Sequence, residues 1–275
     1  MTDVDALAAL TRGDRRHARE LAAAGTSLLA QALTAYLDGE DTGAVYDQPA
    51  AFEAFISGGG NVGLYAAVET ALADQYRELT PLRLADIGCG DGRVIGNALA
   101  RSGHLPDSLT LIEPSAALLA QAVRALTPTR AYAGTVQSFL SEVDAEFDLV
   151  ESTFAMHTIP HAERTEVLAA LRHRTERLVI VDFDVPAVEH GGPEHLRFLA
   201  ETYERGLSEY SGDLVAQGFL MPVLVGQLTP GAQRVTWEQP AAAWREQLEK
   251  AGYASVSVVT LHDYWSSPAF LLIAE

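Results

Sequence analysis

The residues Asp86-Ile87-Gly88-Cys89-Gly90-Asp91-Gly92-Arg93 follow an apolar run and open a helical pattern. Glycines in such a turn let the backbone approach a ligand closely, and the helix start beyond it offers free N–H groups. The spacing is Asp-x-Gly-x-Gly-x-Gly. A dinucleotide fingerprint needs a glycine where Arg93 stands, and a phosphate loop would continue into Gly-Lys-Ser/Thr. A glycine turn opened by an acid suits a cationic, phosphate-free nucleoside better than a pyrophosphate. His157 lies just past another apolar run, and imidazole, titrating near neutrality, is the natural group for moving a proton. Its plainer role is to pack or cap the turn beside Met156, Ile159 and Pro160. Asp184 ends a further apolar run, where it would orient His157, meet an acceptor nitrogen or simply close a strand; Asp182 points the same way by strand period. His157, His190, His195, His262, Asp184 and Asp263 are metal-ligand types, but no His-x-His or His-Glu-x-x-His pair fixes two of them locally. No metal is expected.

The elements that must position these groups change period along the chain. Up to about residue 40 the pattern is helical, with Leu21, Leu28, Leu29, Ala32, Leu33, Tyr36 and Leu37 on one stripe that ends at Gly39. Two more helices flank Gly58–Gly60. From Leu82 onward, runs 82–88, 109–113, 147–152 and 177–185 read as strands buried on both faces, with a weaker one at 129–135. Helical segments 93–103, 115–126 and 161–174 alternate with them, which argues for a parallel, doubly wound sheet. The rhythm breaks over 186–245, apart from one helical piece near 194–210, before a final strand pair (253–261 and 268–275). The expected fold is therefore α/β, Rossmann-like and doubly wound. An N-terminal helical cap (1–57) precedes a core (58–275) that carries an insertion at 186–245.

The chain has 275 residues and 19 basic against 37 acidic side chains, a formal charge of −18. Such a surface repels phosphate backbones and anionic membranes, so a nucleic-acid partner is excluded. One cysteine, Cys89, allows neither an internal disulfide nor a cysteine metal knuckle. No apolar run approaches the roughly 20 residues of a membrane helix. The start of the chain lacks the basic and apolar regions of a secretory signal. A cytoplasmic location is expected. The single lysine, Lys250, falls in a stretch that reads as an exposed helix, which argues against Schiff-base chemistry.

The turn DIGCGDG resembles the first motif of class I S-adenosylmethionine-dependent methyltransferases, and the likeness extends over residues 46–185. It implies a seven-stranded sheet whose last strand is antiparallel. It also implies that S-adenosylmethionine is held by Asp86, Gly88 and Gly90, with Glu113 on the ribose hydroxyls and Pro114 beside it. Gln137 and Ser138 would lie near the adenine, and Glu151, Ser152, Thr153 and Phe154 in the fourth-strand motif FDLVESTFAMHTIP beside the methionine part. S-adenosylhomocysteine would be the product, and His157 would stand close to the reactive methyl as candidate base. The chain looks most similar to bacterial secondary-metabolite enzymes that methylate carbon on indole alkaloids, an impression carried by the YDxP…FIxGGGN cap and the MHTIP segment. O- or N-methylation of a small metabolite, a metal-assisted 2-oxo-acid reaction and a non-methylating cofactor binder stand as alternatives. A nicotinamide oxidoreductase is disfavoured by Arg93.

Tyr46 would close over the cofactor. Tyr65, Tyr203, Phe219, Met221 and Trp265 would shape an aromatic acceptor pocket, with packing as their plainer role. The acceptor is expected to be a diffusible small molecule. The leucine stripe at the N-terminus exceeds what a lid needs, so a homo-oligomer is expected through those helices.

Overall fold

The computed structural model describes residues 2–39 and 48–275. Its helices are α1 (Thr2–Thr11), α2 (Arg15–Ala23), α3 (Leu28–Asp38), α4 (Pro49–Ile56), α5 (Gly59–Leu79), α6 (Arg93–Ser102), α7 (Ala116–Leu126), α8 (Val136–Glu142), α9 (His161–Arg172), α10 (Pro193–Ser208), α11 (Asp213–Val215), α12 (Met221–Leu228) and α13 (Ala241–Lys250). Its strands are β1 (Arg83–Ile87), β2 (Ser108–Ile112), β3 (Arg130–Tyr132), β4 (Phe147–Thr153), β5 (Thr175–Phe183), β6 (Val256–His262) and β7 (Ala269–Ala274). These elements divide into two compact units. A sheet unit comprises Leu64–Pro186, Thr236–Asp263 and Pro268–Glu275, and a cap unit comprises the described residues of Met1–Gly63, Ala187–Val235 and Tyr264–Ser267. The sequence reading puts the boundary at 57/58 and gives the insertion to the core. In the structure the division falls after Gly63, and residues 187–235 pack with the N-terminal helices.

The sheet unit is one seven-stranded sheet of order β3-β2-β1-β4-β5-β7-β6, parallel except for β7, which runs antiparallel to both neighbours. The expected fold class holds. Central strands are apolar without alternation because helices cover both faces, and Leu84, Ala85, Leu149 and Val179–Val181 are all fully or almost fully buried. Edge strand β6 alternates instead. One continuous core runs through Ile87, Phe139, Phe147, Leu168, Ile180, Trp244 and Leu272. The segment read as an exposed helix around Lys250 is α13, which buries Trp244, Gln247 and Leu248. Side-chain caps start the connecting helices at defined points: Ser115 accepts from Leu118 N at α7, and Thr135 from Ser138 N at α8.

In the cap unit the N-terminal segment forms three helices, and the stripe is divided between two of them, with Leu21 on α2 and the remaining stripe residues on α3. Gly13, at φ 77°, turns the chain between α1 and α2. Asp14 and Ser27 then cap α2 and α3 by accepting from His17 N and Ala30 N. Leu29, Ala30 and Leu33 are buried within this one chain, and α3 packs on α10. The Glu204 carboxylate accepts from Leu28 N and Leu29 N at 3.0 and 2.7 Å, a charged cap on the first turn of α3. Leu29 and Leu33 of the stripe are thus used inside the protomer, while Leu28 is left 43% exposed. Residues 213–228, expected as irregular, form a continuous helical run that passes through a π turn at Ala216–Leu220.

Candidate active site

β1 delivers its carboxyl end into the glycine turn, where Gly88, Gly90 and Gly92 have φ of 72°, 56° and 80°. Positive φ is open to glycine at no steric cost. A side chain on Gly88 would run into the Cβ of Ala155, whereas nothing lies within 4 Å of where a Cβ on Gly90 would stand. Gly88 keeps the turn against the end of β4, and Gly90 presents bare backbone to open space. The turn is tied to β2, since Gly88 N and Cys89 N both donate to Ile112 O at 2.7 and 3.3 Å. Glu113, at the end of β2, accepts from Gly90 N (3.1 Å) and from Ser115 N (2.8 Å). Each carboxylate oxygen retains a lone pair for further donors such as a pair of vicinal hydroxyls. Pro114 is exposed beside it.

Asp86 is 5% exposed, and no hydrogen bond to its carboxylate is seen among the described residues. Burial, reinforced by the negative charge of Glu113, raises its pKa to about 7. In register with it on β4 stands Glu151, also buried, which accepts from Tyr76 Oη at 2.5 Å. Burial and the neighbouring Asp86 push Glu151 well above the usual carboxylate range despite that bond. A buried carboxyl without a donor beside a second carboxyl is a site short of positive charge. S-adenosylmethionine fits it: Asp86 would meet the cationic end, Glu113 the ribose, and Gly90 the close approach. Glu151 was expected beside the methionine part of the cofactor, as a member of the fourth-strand motif, whereas Tyr76 was not expected at the site. The sheet register sets Glu151 against Asp86, and the hydrogen bond from α5 brings Tyr76 to the pair.

Beyond β4 the chain turns sharply. Phe154 adopts φ 52°, a strained value for an aromatic residue, and donates its N–H to Val181 O at 2.9 Å. His157 follows in a short 3-10 turn, Met156–Thr158. Its Nδ1 lies 2.9 and 3.2 Å from the two oxygens of Asp182, which is fully buried and also accepts from Phe183 N at 2.8 Å. A carboxylate only accepts, so Nδ1 carries the hydrogen, and in the neutral ring Nε2 keeps its lone pair. Burial opposes a charged ring, but the charge and hydrogen bond of Asp182 outweigh it, and His157 titrates above the ordinary histidine value. Asp184 does not take the orienting role. It is exposed past the end of β5, where its Oδ1 accepts from Ala241 N at 2.8 Å and caps the start of α13. Strand period allowed either aspartate; burial selects Asp182.

Aromatic rings gather at the same strand ends. Phe154 stacks on Phe183 at 4.6 Å and 10°, and Tyr65 from α5 meets Phe154 edge-on at 6.2 Å. Of these, Tyr65 was expected in the acceptor pocket and Phe154 beside the methionine part of the cofactor; Phe183 was not expected. Phe154 and Phe183 meet because β4 and β5 are neighbours, which no spacing along the chain announces.

Other expected residues are less directly placed. Tyr46 lies outside the described residues. Ser152 is buried and donates to Ile87 O at 2.9 Å, so its hydroxyl latches β4 to the end of β1. Ser138 and Gln137 are half-buried in the first turn of α8, and the Ser138 hydroxyl donates to Thr135 O. Tyr203, Phe219, Met221 and Trp265 all belong to the cap unit. There Met221 is fully buried as core, and Phe219 stacks on Phe55 at 4.2 Å. Tyr203 and Trp265 meet edge-on at 5.5 Å. No three His, Cys, Asp or Glu side chains come together to hold a metal among the described residues.

Comparison with known proteins agrees with the fold. Residues 84–189 match the family model of a methyltransferase domain. No curated protein matches the chain by sequence. Among solved structures, magnesium protoporphyrin IX methyltransferase from Synechocystis with bound S-adenosylhomocysteine is similar at a TM-score of 0.51 and 14% identity, over 89% of this chain and 92% of that one. The plantazolicin methyltransferase BpumL, also in complex with S-adenosylhomocysteine, is similar at 0.54 and 12%, over 83% and 90%. The chain spans only 55% of a matched Nostoc punctiforme structure and 64% of PigF. Residues 84–189 thus match a methyltransferase domain, and the sheet that contains them has the fold of these methyltransferase structures.

Proposed function

We propose that this protein transfers the methyl group of S-adenosylmethionine to a small-molecule acceptor, with His157 as the base. The observation that supports it is the His157–Asp182 pair at the carboxyl ends of β4 and β5, beside the strand whose end forms the glycine turn. Ligands bind at this edge in open α/β sheets. The cofactor supplies an electrophilic methyl on a sulfonium. The chain's own residues bind and orient: Glu113 and the bare backbone of Gly90 hold the nucleoside, and Asp86 answers its positive charge. His157 Nε2 takes the acceptor's proton while Asp182 steadies the ring and the charge it gains. Phe154, Phe183 and Tyr65 make an apolar wall, which disfavours charge on the departing sulfonium and suits a flat aromatic acceptor.

Within that reading, the acceptor is an electron-rich aromatic of indole type in secondary metabolism, methylated on carbon. The aromatic wall and the sequence resemblance support this, and a phenolic oxygen or a nitrogen is the alternative. No helix among the described residues is long and apolar enough to cross a membrane, in keeping with action in the cytoplasm on a diffusible acceptor.

Calorimetric titration with S-adenosylmethionine, then incubation with a panel of indoles and phenols and product analysis by mass spectrometry and NMR, tests the proposal. Binding, with methyl transfer abolished in His157→Ala, is the expected result. No binding by the native protein would overturn it, and binding without transfer to any acceptor would favour a non-methylating cofactor binder.

A further inference from the structure

We propose that Arg164 is a positioning residue for the His157–Asp182 pair, its buried guanidinium tying the turn that carries His157 to the segment 237–247. The proposal rests on the reading of His157 as the base.

Arg164 stands on α9 with no exposed surface. Its Nη1 donates to two carbonyls, Met156 O at 3.3 Å and Trp237 O at 3.0 Å, and its Nε donates to Gln247 Oε1 at 3.1 Å. The guanidinium lies over the Trp244 ring, 3.9 Å from its centroid. Trp237 N in turn donates to His157 O at 2.6 Å. The main chain of His157 is thus held from both sides. The carbonyl before it rests on Arg164, and its own carbonyl rests on Trp237, whose carbonyl shares the same guanidinium nitrogen. Gln247 extends the clamp, with Nε2 donating to His161 O and Thr165 Oγ1, both at 2.8 Å.

Stability alone does not call for this arrangement. A fully buried arginine carries a large desolvation cost, and an apolar side chain of similar volume often serves a core as well or better. What arginine adds is a planar fork of donors in fixed directions and a permanent charge. Both bear on His157. The charged groups that act on its ring are Asp182 from β5, Glu238 from the segment before α13, and Arg164 from α9. The two carboxylates favour the imidazolium, and Arg164 opposes them. A base must be neutral before it acts, so a cation behind it keeps the ring available at lower pH.

The test uses the full chain labelled with 15N-histidine, with the His157 ring signals assigned by their loss in His157→Gln. In Arg164→Met the His157 midpoint is expected to rise, and the Nδ1 proton held by Asp182 to exchange faster. Arg164→Lys keeps the charge but replaces the fork with a point donor. It should bring the midpoint back toward the native value and leave the proton labile. Once an acceptor is in hand, kcat should fall roughly 10- to 100-fold in both variants, the scale expected for sub-ångström to ångström misplacement of a base, with cofactor affinity unchanged. Unchanged titration and exchange in both folded variants would overturn the proposal. If neither variant folds, Gln247→Met decides, since it frees Nε without removing the charge. Faster Nδ1–H exchange at an unchanged midpoint supports the clamp, and native exchange refutes it. Calorimetry on the native protein runs alongside. Failure to bind S-adenosylmethionine would end the reading of His157 as base, while the ring titration would still report whether Arg164 anchors it.

Discussion

Replacing Asp86 with asparagine should make the protein more stable at neutral and alkaline pH while it loses its cofactor. An acid whose folded-state pKa is raised is the reverse of the usual carboxylate case. Between the unfolded value near 3.8 and the folded value of about 7, the native protein holds a proton that the unfolded chain has released. Stability therefore declines as pH rises through that window and stays low above it. One unit is worth 1.36 kcal/mol, so the two units between pH 5 and the folded pKa amount to roughly 2–3 kcal/mol. Removing the Asp86 charge also relieves Glu151, which shifts upward partly because of it and adds in the same direction. An asparagine amide has its own packing cost in this buried position, but that cost does not titrate. The quantity to measure is the stability difference between variant and native protein, from urea unfolding followed by circular dichroism at pH 5 and pH 8. It should grow by about 2–3 kcal/mol in favour of Asp86→Asn from the lower to the higher pH. A difference that is flat with pH, or that moves the other way, would show that Asp86 is ionised and satisfied in the native state. The site would then not be short of positive charge.

Glu113→Gln keeps the shape but loses charge-assisted bonds worth about 1.5–3 kcal/mol, so calorimetry should show S-adenosylmethionine affinity falling by roughly 10- to 100-fold. Asp182→Asn should lower methyl transfer by about 100-fold or more, because an amide no longer fixes the tautomer. In the native enzyme the acid limb of kcat against pH should lie above the ordinary histidine value, and in Asp182→Asn it should move to lower pH, which a stopped-time assay at several pH values reads directly. Gly88→Ala and Gly90→Ala separate structure from function. Both strain a positive φ, at about 1–3 kcal/mol, but only the first also runs into Ala155. Thermal melting should therefore fall further in Gly88→Ala, while Gly90→Ala should still fold and lose cofactor binding. Equal melting temperatures would contradict the geometry.

What could be read from the chain was whatever depends on local constraint. Strands buried on both faces must be apolar throughout, which is why 82–88 and 177–185 stand out, and a turn that needs bare backbone must be written in glycine. What depends on neighbours across the sheet was hidden. The motif places Glu151 and Phe154 near the cofactor, but that Glu151 faces Asp86 and Phe154 stacks on Phe183 is set by the sheet. Arg164 reads as an ordinary surface charge in a polar helix until α13 is seen to cover it. The run 213–228 misleads for a different reason. Gly218, Pro222 and Gly226 are helix breakers by propensity, yet a side chain on Gly218 would collide with Ala51, so tertiary packing demands the glycine and the helix accepts its cost.

The strand order β5-β7-β6 has a consequence for how the protein is made. β5 ends at Phe183, but the strand that pairs with its outer edge, β7, begins only at Ala269, about 85 residues later. At about 5–20 residues per second, a ribosome needs roughly 4–17 s to supply it. Throughout that interval Val179, Ile180 and Val181 present an unpaired, apolar edge that in the finished protein is central and inaccessible. An edge of that kind is a template for pairing with another chain. During synthesis, the cap residues 187–235 emerge before the sheet can close, so the yield of soluble protein should depend on translation speed across this stretch more than on the stability of the folded state.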